Sequence, residues 1–151
     1  MLTRLRSPER LQSTVYPSNS SEVQYTGEWY SVKTPEGTWM ETKEYHASAA
    51  MEFSGARTVA IHSPLNFGHW NYSIEIDGQT MLPPGDGTPA FNASTWWLIS
   101  DSILYYADNL DEGEHTIKII HLANEEYWRS TFTSFEVWRP DASGSGSPSS
   151  P

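Results

Sequence analysis

Apolar and polar residues alternate along several short stretches of this chain, and each stretch is bounded by Gly, Pro, Asn or Asp. In the clearest case, the apolar residues of Asn71–Asp77 occupy every second position, and a turn signal, Asp77-Gly78, follows. A period of two is typical of a β-strand with one buried face. No stretch carries the helical period with caps at both ends. The sequence therefore predicts an all-β protein.

The other alternating stretches have the same form. We predict further strands at Ala47–Phe53, Val59–Ile61, Trp97–Tyr106, His115–Ile119 and Thr131–Trp138. About eight short strands separated by turns predict an antiparallel β-sandwich, and specifically a jelly roll.

Composition divides the chain into three segments. Residues 1–21 are polar and Ser-rich, and we expect a poorly ordered arm or a strand-like wrap. Residues 22–140 carry the strand pattern and form the β-sandwich domain. Residues 141–151 have the Ser/Gly/Pro composition of a flexible linker or tail, which implies a further part in the parent protein.

Charge and cysteine content exclude several classes of function. The chain has 9 basic and 19 acidic side chains and a net charge of −10, so we expect no nucleic-acid partner. It has no Cys, which excludes disulfide frameworks, thiol catalysis and zinc–thiolate sites. No run approaches the roughly 18 apolar residues of a membrane span. The first residues lack the apolar region of a signal peptide, so the chain is either intracellular or cut from a longer protein.

Aromatic residues are unusually frequent. Seven Trp, eight Tyr and five Phe make up 13% of the chain, more than a core of this size needs. Aromatic side chains are favoured where sugars, peptides or partner proteins dock. The surplus predicts a binding protein.

The order of several short motifs identifies a family that this chain resembles. The motifs are Tyr25-Thr-Gly-Glu-Trp29, Ala47-Ser-Ala-Ala-Met-Glu-Phe-Ser-Gly55, Val59-Ala-Ile61, Tyr72-Ser-Ile-Glu-Ile-Asp-Gly78, Leu110-Asp-Glu-Gly-Glu-His-Thr-Ile-Lys-Ile119 and Phe135-Glu-Val137. Over residues 22–138 the chain resembles the galactose-binding-like jelly-roll domains of extracellular proteins, which include carbohydrate-binding modules. It is also similar to a group of basidiomycete fungal proteins. This resemblance implies an extracellular or cell-surface domain, joined by a linker to the rest of a secreted or membrane-anchored protein.

The direction of the strands predicts which loops lie together. Successive antiparallel strands place alternate loops at opposite ends of a sandwich. Counting strands places segments 26–38, 78–96 and 122–130 at one end, and loops 63–70 and 107–113 at the other.

The first of these ends is rich in aromatic side chains. Aromatic rings stack on the C–H faces of sugars, while charged and amide side chains bind the hydroxyls, so such an end suits a glycan. We predict a non-catalytic, lectin-like glycan site formed by Asp86, Trp96, Tyr127, Trp128 and Arg129. We expect Trp29 and Trp97 to plug the end of the sandwich, and the sequence leaves the exposure of Trp128 open.

The loop at 63–70 allows two interpretations. Phe67, His69 and Trp70 could form a second aromatic platform at the opposite end. A hairpin loop tucked onto the edge of the sandwich is the preferred interpretation.

Three sequons, at Asn19, Asn71 and Asn92, predict N-glycosylation and favour secretion. Asn71 shares the outward face of its strand with Ser73, so a glycan fits there. A glycan on Asn92 would crowd the predicted glycan site.

Four acidic residues, Asp108, Asp111, Glu112 and Glu114, surround Gly113. Related jelly rolls often hold a structural calcium ion, and this turn is the place for one. The spacing does not match a calcium loop, so we favour a solvated acidic turn and expect no metal and no cofactor.

We predict that the protein is not an enzyme. The five His residues are scattered, and neither a His-Glu-x-x-His nor a Gly-x-Ser-x-Gly motif occurs. No acidic pair is singled out as a glycosidase dyad. The alternative to glycan binding is a protein-binding or structural spacer ectodomain. An apolar patch of Ile103, Tyr105, Ile120 and Trp138 on one sheet face would favour it.

Overall fold

The computed structural model describes residues 10–69, 71–83, 90–95, 97–124 and 127–141. These ranges contain thirteen β-strands and no helix. None of them therefore provides a helix long and apolar enough to cross a membrane.

The strands follow one another with short connections. They are β1 Leu11–Pro17, β2 Gln24–Thr26, β3 Tyr30–Thr34, β4 Gly37–Thr42, β5 Ser48–Ser54, β6 Thr58–Leu65, β7 Asn71–Ile76, β8 Gln79–Thr80, β9 Phe91–Asn92, β10 Ile99–Ala107, β11 Glu114–His121, β12 Ser130–Phe132 and β13 Ser134–Pro140.

Two antiparallel sheets enclose the core. The first has the order β1-β13-β6-β10, and the second has the order β2-β5-β11-β7-β8, with β9 also paired to β7. A small third sheet, β12-β4-β3, covers one side. Ile61 and Phe135 of the first sheet form one buried cluster with Met51, Ile74 and Ile117 of the second. The all-β jelly-roll sandwich predicted from the sequence is confirmed.

The alternation of apolar residues accounts for the central strands. In β7, Tyr72, Ile74 and Ile76 are buried, as the period of two predicts. Ser73 on the other face is also buried, so the expectation of an open outward face beside Asn71 is wrong. The strand ends in a tight turn in which Asp77 and Gly78 both have positive φ, at 54° and 78°. Such a turn matches the twist of a two-residue hairpin and favours Asp-Gly.

Segment 78–96 is more than the single loop that the sequence predicts. Its first part forms β8 and a later part forms β9, and both strands pair with β7. Because β8 pairs with the last residues of β7 and β9 pairs with its first residues, the chain is back at the start of β7 by Phe91. This additional crossing reverses the end at which every later loop lies.

The predicted strand Thr131–Trp138 is two strands in two different sheets. β12 pairs with β4, β13 pairs with β6, and Thr133 joins them. Phe132 and Phe135 are both fully buried, with ring centroids 4.5 Å apart. Thr133 therefore does not lie on one continuous face with Phe135 and Val137, because the chain changes sheet at that residue.

Part of the polar segment 1–21 belongs to the first sheet. All seven residues of β1 pair with β13, from Leu11 opposite Pro140 to Pro17 opposite Ser134. Tyr16 packs against the core, and its hydroxyl accepts a hydrogen bond from Arg139 at 3.2 Å. The segment predicted as a linker lies outside the described residues except for Asp141.

β10 forms the other edge of the first sheet. It pairs with β6 along only one of its sides, and the register shifts twice, between Ile99 and Ser102 and between Ile103 and Tyr105. The sequence predicts this strand two residues too early, at Trp97.

A chain that begins at Ser18 tests the contribution of β1. Losing β1 uncovers the edge of β13 and removes the packing of Tyr16, so we expect the melting temperature to fall by several degrees. A loss of 1 kcal/mol corresponds to about 2–4 °C at this size. Near-UV circular dichroism measures the midpoint.

A chain that begins at Arg10 is the matched control, because it keeps all of β1. Its melting temperature should equal that of the full chain. Equal midpoints for the two truncated chains would show that β1 adds no stability.

Candidate functional site

Four segments meet at one end of the sandwich, which we call the loop end: 27–30, 43–46, 66–69 and 122–129 without 125 and 126. Thr42 donates its hydroxyl hydrogen bond to the carbonyl of Glu28 at 2.7 Å. The amide of His46 donates to the carbonyl of His121 at 2.8 Å. These bonds fix the loops beside the second sheet and the small sheet to one another.

A fifth segment, 93–98 without 96, also belongs to the loop end. The amide of Asn66 donates to the carbonyl of Ala93, and the amide of Thr95 donates to the carbonyl of Asn66, both at 3.3 Å. This segment carries Trp97 to the loop end.

The predicted grouping of loops is therefore only partly right. Segments 26–30, 93–98 and 122–129 do lie together, but loop 66–69 lies with them instead of with the turn 108–113. The reason is the additional crossing made by β8 and β9, which a strand count from the sequence does not include.

Arg129 joins two of the loops. Its amide donates to the carbonyl of Gly68 at 3.0 Å, and His69 and Arg129 form an isolated parallel bridge. Gly68 has a φ of 90°, and a Cβ there would lie 3.1 Å from the Arg129 guanidinium. Glycine is thus required both by the backbone and by the close approach of the arginine.

A buried carboxylate lies beneath this arginine. Glu41 on β4 is only 6% exposed, and its Oε2 accepts a hydrogen bond from the Tyr30 hydroxyl at 2.7 Å. The same oxygen lies 3.5 Å from Nη1 of Arg129. Burial, the hydrogen bond to Glu41 and its charge raise the pKa of Tyr30 to about 12, so the tyrosine remains a donor at neutral pH.

The arginine keeps unused donor capacity. Within the described residues, no acceptor is found for the buried Nε of Arg129, and the contact to Glu41 is long. A guanidinium offers five N–H donors in a planar fork.

Exposed aromatic side chains surround this polar group. Trp97 is 74% exposed, Tyr127 78% and Phe67 57%, and Tyr30 and Tyr45 are also exposed. Among the described residues, a single other aromatic side chain, Tyr106, is comparably exposed, and it lies on β10. The aromatic surplus in the composition is therefore concentrated at the loop end.

Trp128 and Trp29 are half-buried. The ring of Trp128 packs edge-on against Phe67, with centroids 6.4 Å apart. Trp29 packs against the core, and its ring centroid lies 5.3 Å from that of Tyr25, as predicted for a residue that plugs the sandwich. Trp97 does not plug the sandwich, because β10 begins only at Ile99 and leaves Trp97 outside the strand.

The structure thus brings together three of the five predicted ligand-binding residues: Tyr127, Trp128 and Arg129. Asp86 and Trp96 lie outside the described residues, as does Trp70. Phe67 belongs to the same end instead of to a second platform, and His69 is buried beneath it.

Five residues of the loop end, namely Tyr30, Glu41, Tyr45, Phe67 and Trp97, are missing from the predicted site, and Glu41 and Tyr45 have no predicted role at all. Glu41 shares the inward parity of β4 with the buried Trp39, and a carboxylate at such a position is a signal that the sequence offers. Tyr45 lies in a short connection, where no pattern marks it.

Two buried histidines underlie the loop end. Nδ1 of His69 lies 3.2 Å from the carbonyl of Pro64, and burial lowers the pKa of His69. Nδ1 of His121 lies 2.7 Å from the Ser130 hydroxyl, and burial lowers the pKa of His121 to about 4. Both rings are therefore neutral in the folded protein at neutral pH.

The opposite end of the sandwich is acidic. Asp108 accepts a hydrogen bond from Thr58 at 2.8 Å, and Glu112 pairs with Arg57 at 3.1 Å. Asp111 accepts from a backbone amide of its own turn. Each carboxylate thus has its own protein donor.

His115 lies between the carboxylates of Asp77 and Asp111 and contacts both of them. Its Nδ1 lies 2.8 Å from Asp77 and its Nε2 3.2 Å from Asp111, and the bond to Asp77 raises the pKa of His115. Among the described residues, no group of three or more acidic or histidine side chains could hold a metal ion. The donor set of this turn does not fit calcium, which needs six to eight converging oxygens.

The predicted glycosylation residues differ in their surroundings. Asn19 is exposed after β1. Asn71 and Asn92 face each other in the pairing of β7 with β9, and Asn92 donates a hydrogen bond to Asn71 at 3.0 Å.

No protein-family model and no curated protein sequence matches this chain. Solved structures do share its fold. The CBM36-1 domain of a multidomain xylanase from the hindgut metagenome of Trinervitermes trinervoides is 13% identical, with a TM-score of 0.57 over 91% of this chain and 100% of that domain. A CBM36 carbohydrate-binding module in complex with calcium and xylotriose is 12% identical, with a TM-score of 0.55 over 83% of this chain and 98% of the module.

An enzyme also contains this fold. A family two carbohydrate esterase from Cellvibrio japonicus is 15% identical, with a TM-score of 0.56 over 87% of this chain but only 36% of the esterase. These likenesses confirm the jelly-roll β-sandwich fold. At such low identity they establish the fold alone, because one fold hosts many functions. The similarity to basidiomycete proteins stays a prediction.

The buried His121 predicts a dependence of stability on pH. Its pKa of about 4 in the folded state lies below the 6.5 of an unfolded chain, so the unfolded state takes up the proton first as the pH falls. Between pH 6.5 and 4 we expect this residue to remove on the order of 3 kcal/mol of stability. Urea unfolding at pH 7 and pH 4.5 measures the loss.

His121→Gln should reduce the difference in unfolding free energy between the two pH values, whatever its own stability. His46→Gln, at an exposed histidine, is the matched control and should keep the difference of the unchanged protein. An equal difference in all three proteins would contradict the assignment.

Proposed function

We propose that this domain binds a glycan or cell-wall polysaccharide, without catalysis, through the loop end. The observation that carries the proposal is the concentration of exposed aromatic side chains around Arg129 and Glu41. Flat rings suit the C–H faces of sugars, and a few fixed polar groups suit their hydroxyls. The fold shared with carbohydrate-binding modules is consistent with this role.

The arrangement of charge favours binding over hydrolysis. Glycoside hydrolysis needs two carboxyl groups on either side of the scissile bond. Glu41 lies beneath the surface and is already engaged by Tyr30 and Arg129. We therefore propose that its role is to orient these two donors, and that the domain needs no metal and no cofactor.

We propose an extracellular or cell-surface location for this lectin-like module, and N-glycosylation at its sequons. Because Asn92 lies directly before the segment that carries Trp97, a glycan there would stand beside the binding surface. Asn71 and Asn92 are paired neighbours, so we propose that at most one of them carries a glycan.

Expression in a secreting yeast checks the glycosylation. The expected product carries two glycans, one on either Asn71 or Asn92 and one on Asn19. Asn19→Gln should therefore remove one of the two. Intact mass spectrometry before and after enzymatic deglycosylation counts them. A product with both paired residues modified would contradict the steric argument.

The glycan proposal is tested with a polysaccharide panel. We expect Trp97→Ala and Tyr127→Ala each to weaken binding about tenfold or more, since exposed aromatic residues at the centre of a site dominate affinity. Affinity electrophoresis in gels that contain fungal or plant cell-wall polymers measures binding, with Trp fluorescence as a second readout. Trp128→Ala is informative when its melting temperature is unchanged.

Tyr106→Ala is the matched control, because Tyr106 is exposed on β10 and off the loop end. Its binding should be unchanged. A negative panel, or equal losses for Tyr106→Ala and Tyr127→Ala, would refute the glycan site.

A protein-binding or spacer ectodomain is the second candidate. The observation that favours it is the exposure of Ile103 and Tyr106 on the edge strand β10. The four-residue patch predicted from the sequence does not form, because Tyr105 packs against the core and Ile120 lies on the second sheet.

A further inference from the structure

A groove lies away from the loop end, at the point where the chain passes from the small sheet into the first large sheet. β12 ends at Phe132 opposite Met40, and β13 begins at Ser134 opposite Pro17. The end of β1 and the outer face of the β3–β4 hairpin form its two walls. Its volume is about 540 Å³, within the range of small-molecule sites.

The groove combines an apolar floor with many hydrogen-bonding groups. Val15, Pro17 and Met40 supply the apolar surface. Three hydroxyl-bearing residues, Ser31, Thr38 and Ser134, also line the groove. No aromatic side chain is among its lining residues, so a ligand there would be held by hydrogen bonds and charge instead of by stacking.

Lys33 supplies the charge. It lies on β3 opposite Thr38, is exposed and lines the groove. In the part of the chain that the structure describes, no carboxylate forms an ion pair with Lys33. None of the lining residues is acidic, although the chain has 19 acidic residues.

A second cavity shows how unusual this is. The cavity at the acidic end, about 560 Å³, is lined by three acidic residues, Glu52, Asp77 and Glu114, and by one histidine, His115. Opposite charges attract over a few ångströms even near a protein surface. The groove beside Lys33 therefore favours an anionic ligand, which the rest of this acidic surface repels.

One hydroxyl at the groove lacks a protein partner. Oγ1 of Thr133 is buried, and no hydrogen bond to it is found among the described residues. Thr133 lines the groove at the point where the chain changes sheet. A buried polar atom usually has a partner, and a rotation of the Thr133 side chain about χ1 would bring this enclosed oxygen to a ligand in the groove.

We propose that this groove binds a carboxylate-bearing sugar, the uronic acid residue of a polysaccharide, with Lys33 on the carboxylate and the hydroxyls of the walls on the ring. The proposal rests on the glycan-binding function for the choice of a sugar over other anions. It adds a second subsite of different chemistry. The loop end recognises ring faces, and the groove recognises charge.

The predicted sequon at Asn19 affects this site, because Asn19 also lines the groove. A glycan on Asn19 would stand at its mouth. Protein made in bacteria lacks that glycan and is used for the test. The same protein glycosylated at Asn19 should bind more weakly.

The experiment is a two-dimensional ¹H–¹⁵N NMR titration of the full chain with trigalacturonate. We expect the amides of Lys33, Thr38 and Ser134 to shift, and the methyl ester of the same trimer, which has lost the charge, to leave them in place. Lys33→Gln should weaken binding by up to about fivefold, as for the loss of an exposed ion pair, and Lys33→Arg should restore it.

Lys118→Gln removes the same charge from β11 of the second sheet and is the matched control. It should bind like the unchanged protein. Equal weakening by Lys33→Gln and Lys118→Gln, equal shifts with the methyl ester, or shifts confined to other residues would overturn the proposal. Triglutamate that produced the same shifts would overturn the choice of a sugar.

The two proposals fail separately. If trigalacturonate shifts the groove amides but no neutral polysaccharide binds, the groove proposal is supported and the loop-end proposal is refuted. If polysaccharide binding depends on Trp97 and no groove amide shifts, the loop-end proposal is supported and the groove proposal is refuted.

Discussion

A carboxylate buried at one end of a sandwich requires donors, and Glu41 obtains them from two different loops. Leaving such a group without partners costs several kcal/mol, so the segments that supply Tyr30 and Arg129 must close over it. Closure in turn brings Gly68 against the guanidinium and turns Phe67 and Trp128 towards each other. The aromatic surface is therefore organised from beneath by one charge, and its shape depends on that charge remaining paired.

The two ends of the sandwich are chemically opposite as a result of topology. Every crossing of the sheet carries the chain from one end to the other, and the return run through β8 and β9 adds one crossing. It assigns the aromatic loop 66–69 to the same end as Tyr127, and it leaves the turn 108–113 at the end where acids dominate. Without that run, the aromatic residues would be divided between both ends.

The sequence predicts what a period of two can encode and no more. Strands with one buried face, such as β5 and β7, repeat that period over six or seven residues and are predicted with their inward residues. β8 and β9 have two residues each and show no period, so their crossing is invisible. Trp97 is misassigned because a strand start has no sharp signal. Tyr127 and Arg129 lie at the loop end, and their role as ligand-binding residues stays a prediction from the aromatic–charged pair in that loop.

The irregular register of β10 has a consequence for the behaviour of the protein at high concentration. A long edge strand with exposed Ile99, Ile103 and Tyr106 offers a template on which another chain could add a strand. The two register shifts interrupt the regular row of amides and carbonyls, and the exposed charge of Asp101 lies within the first of them. Bulges and charges of this kind prevent edge-to-edge association. The exposed apolar residues of β10 therefore do not make this edge strand a site where chains aggregate.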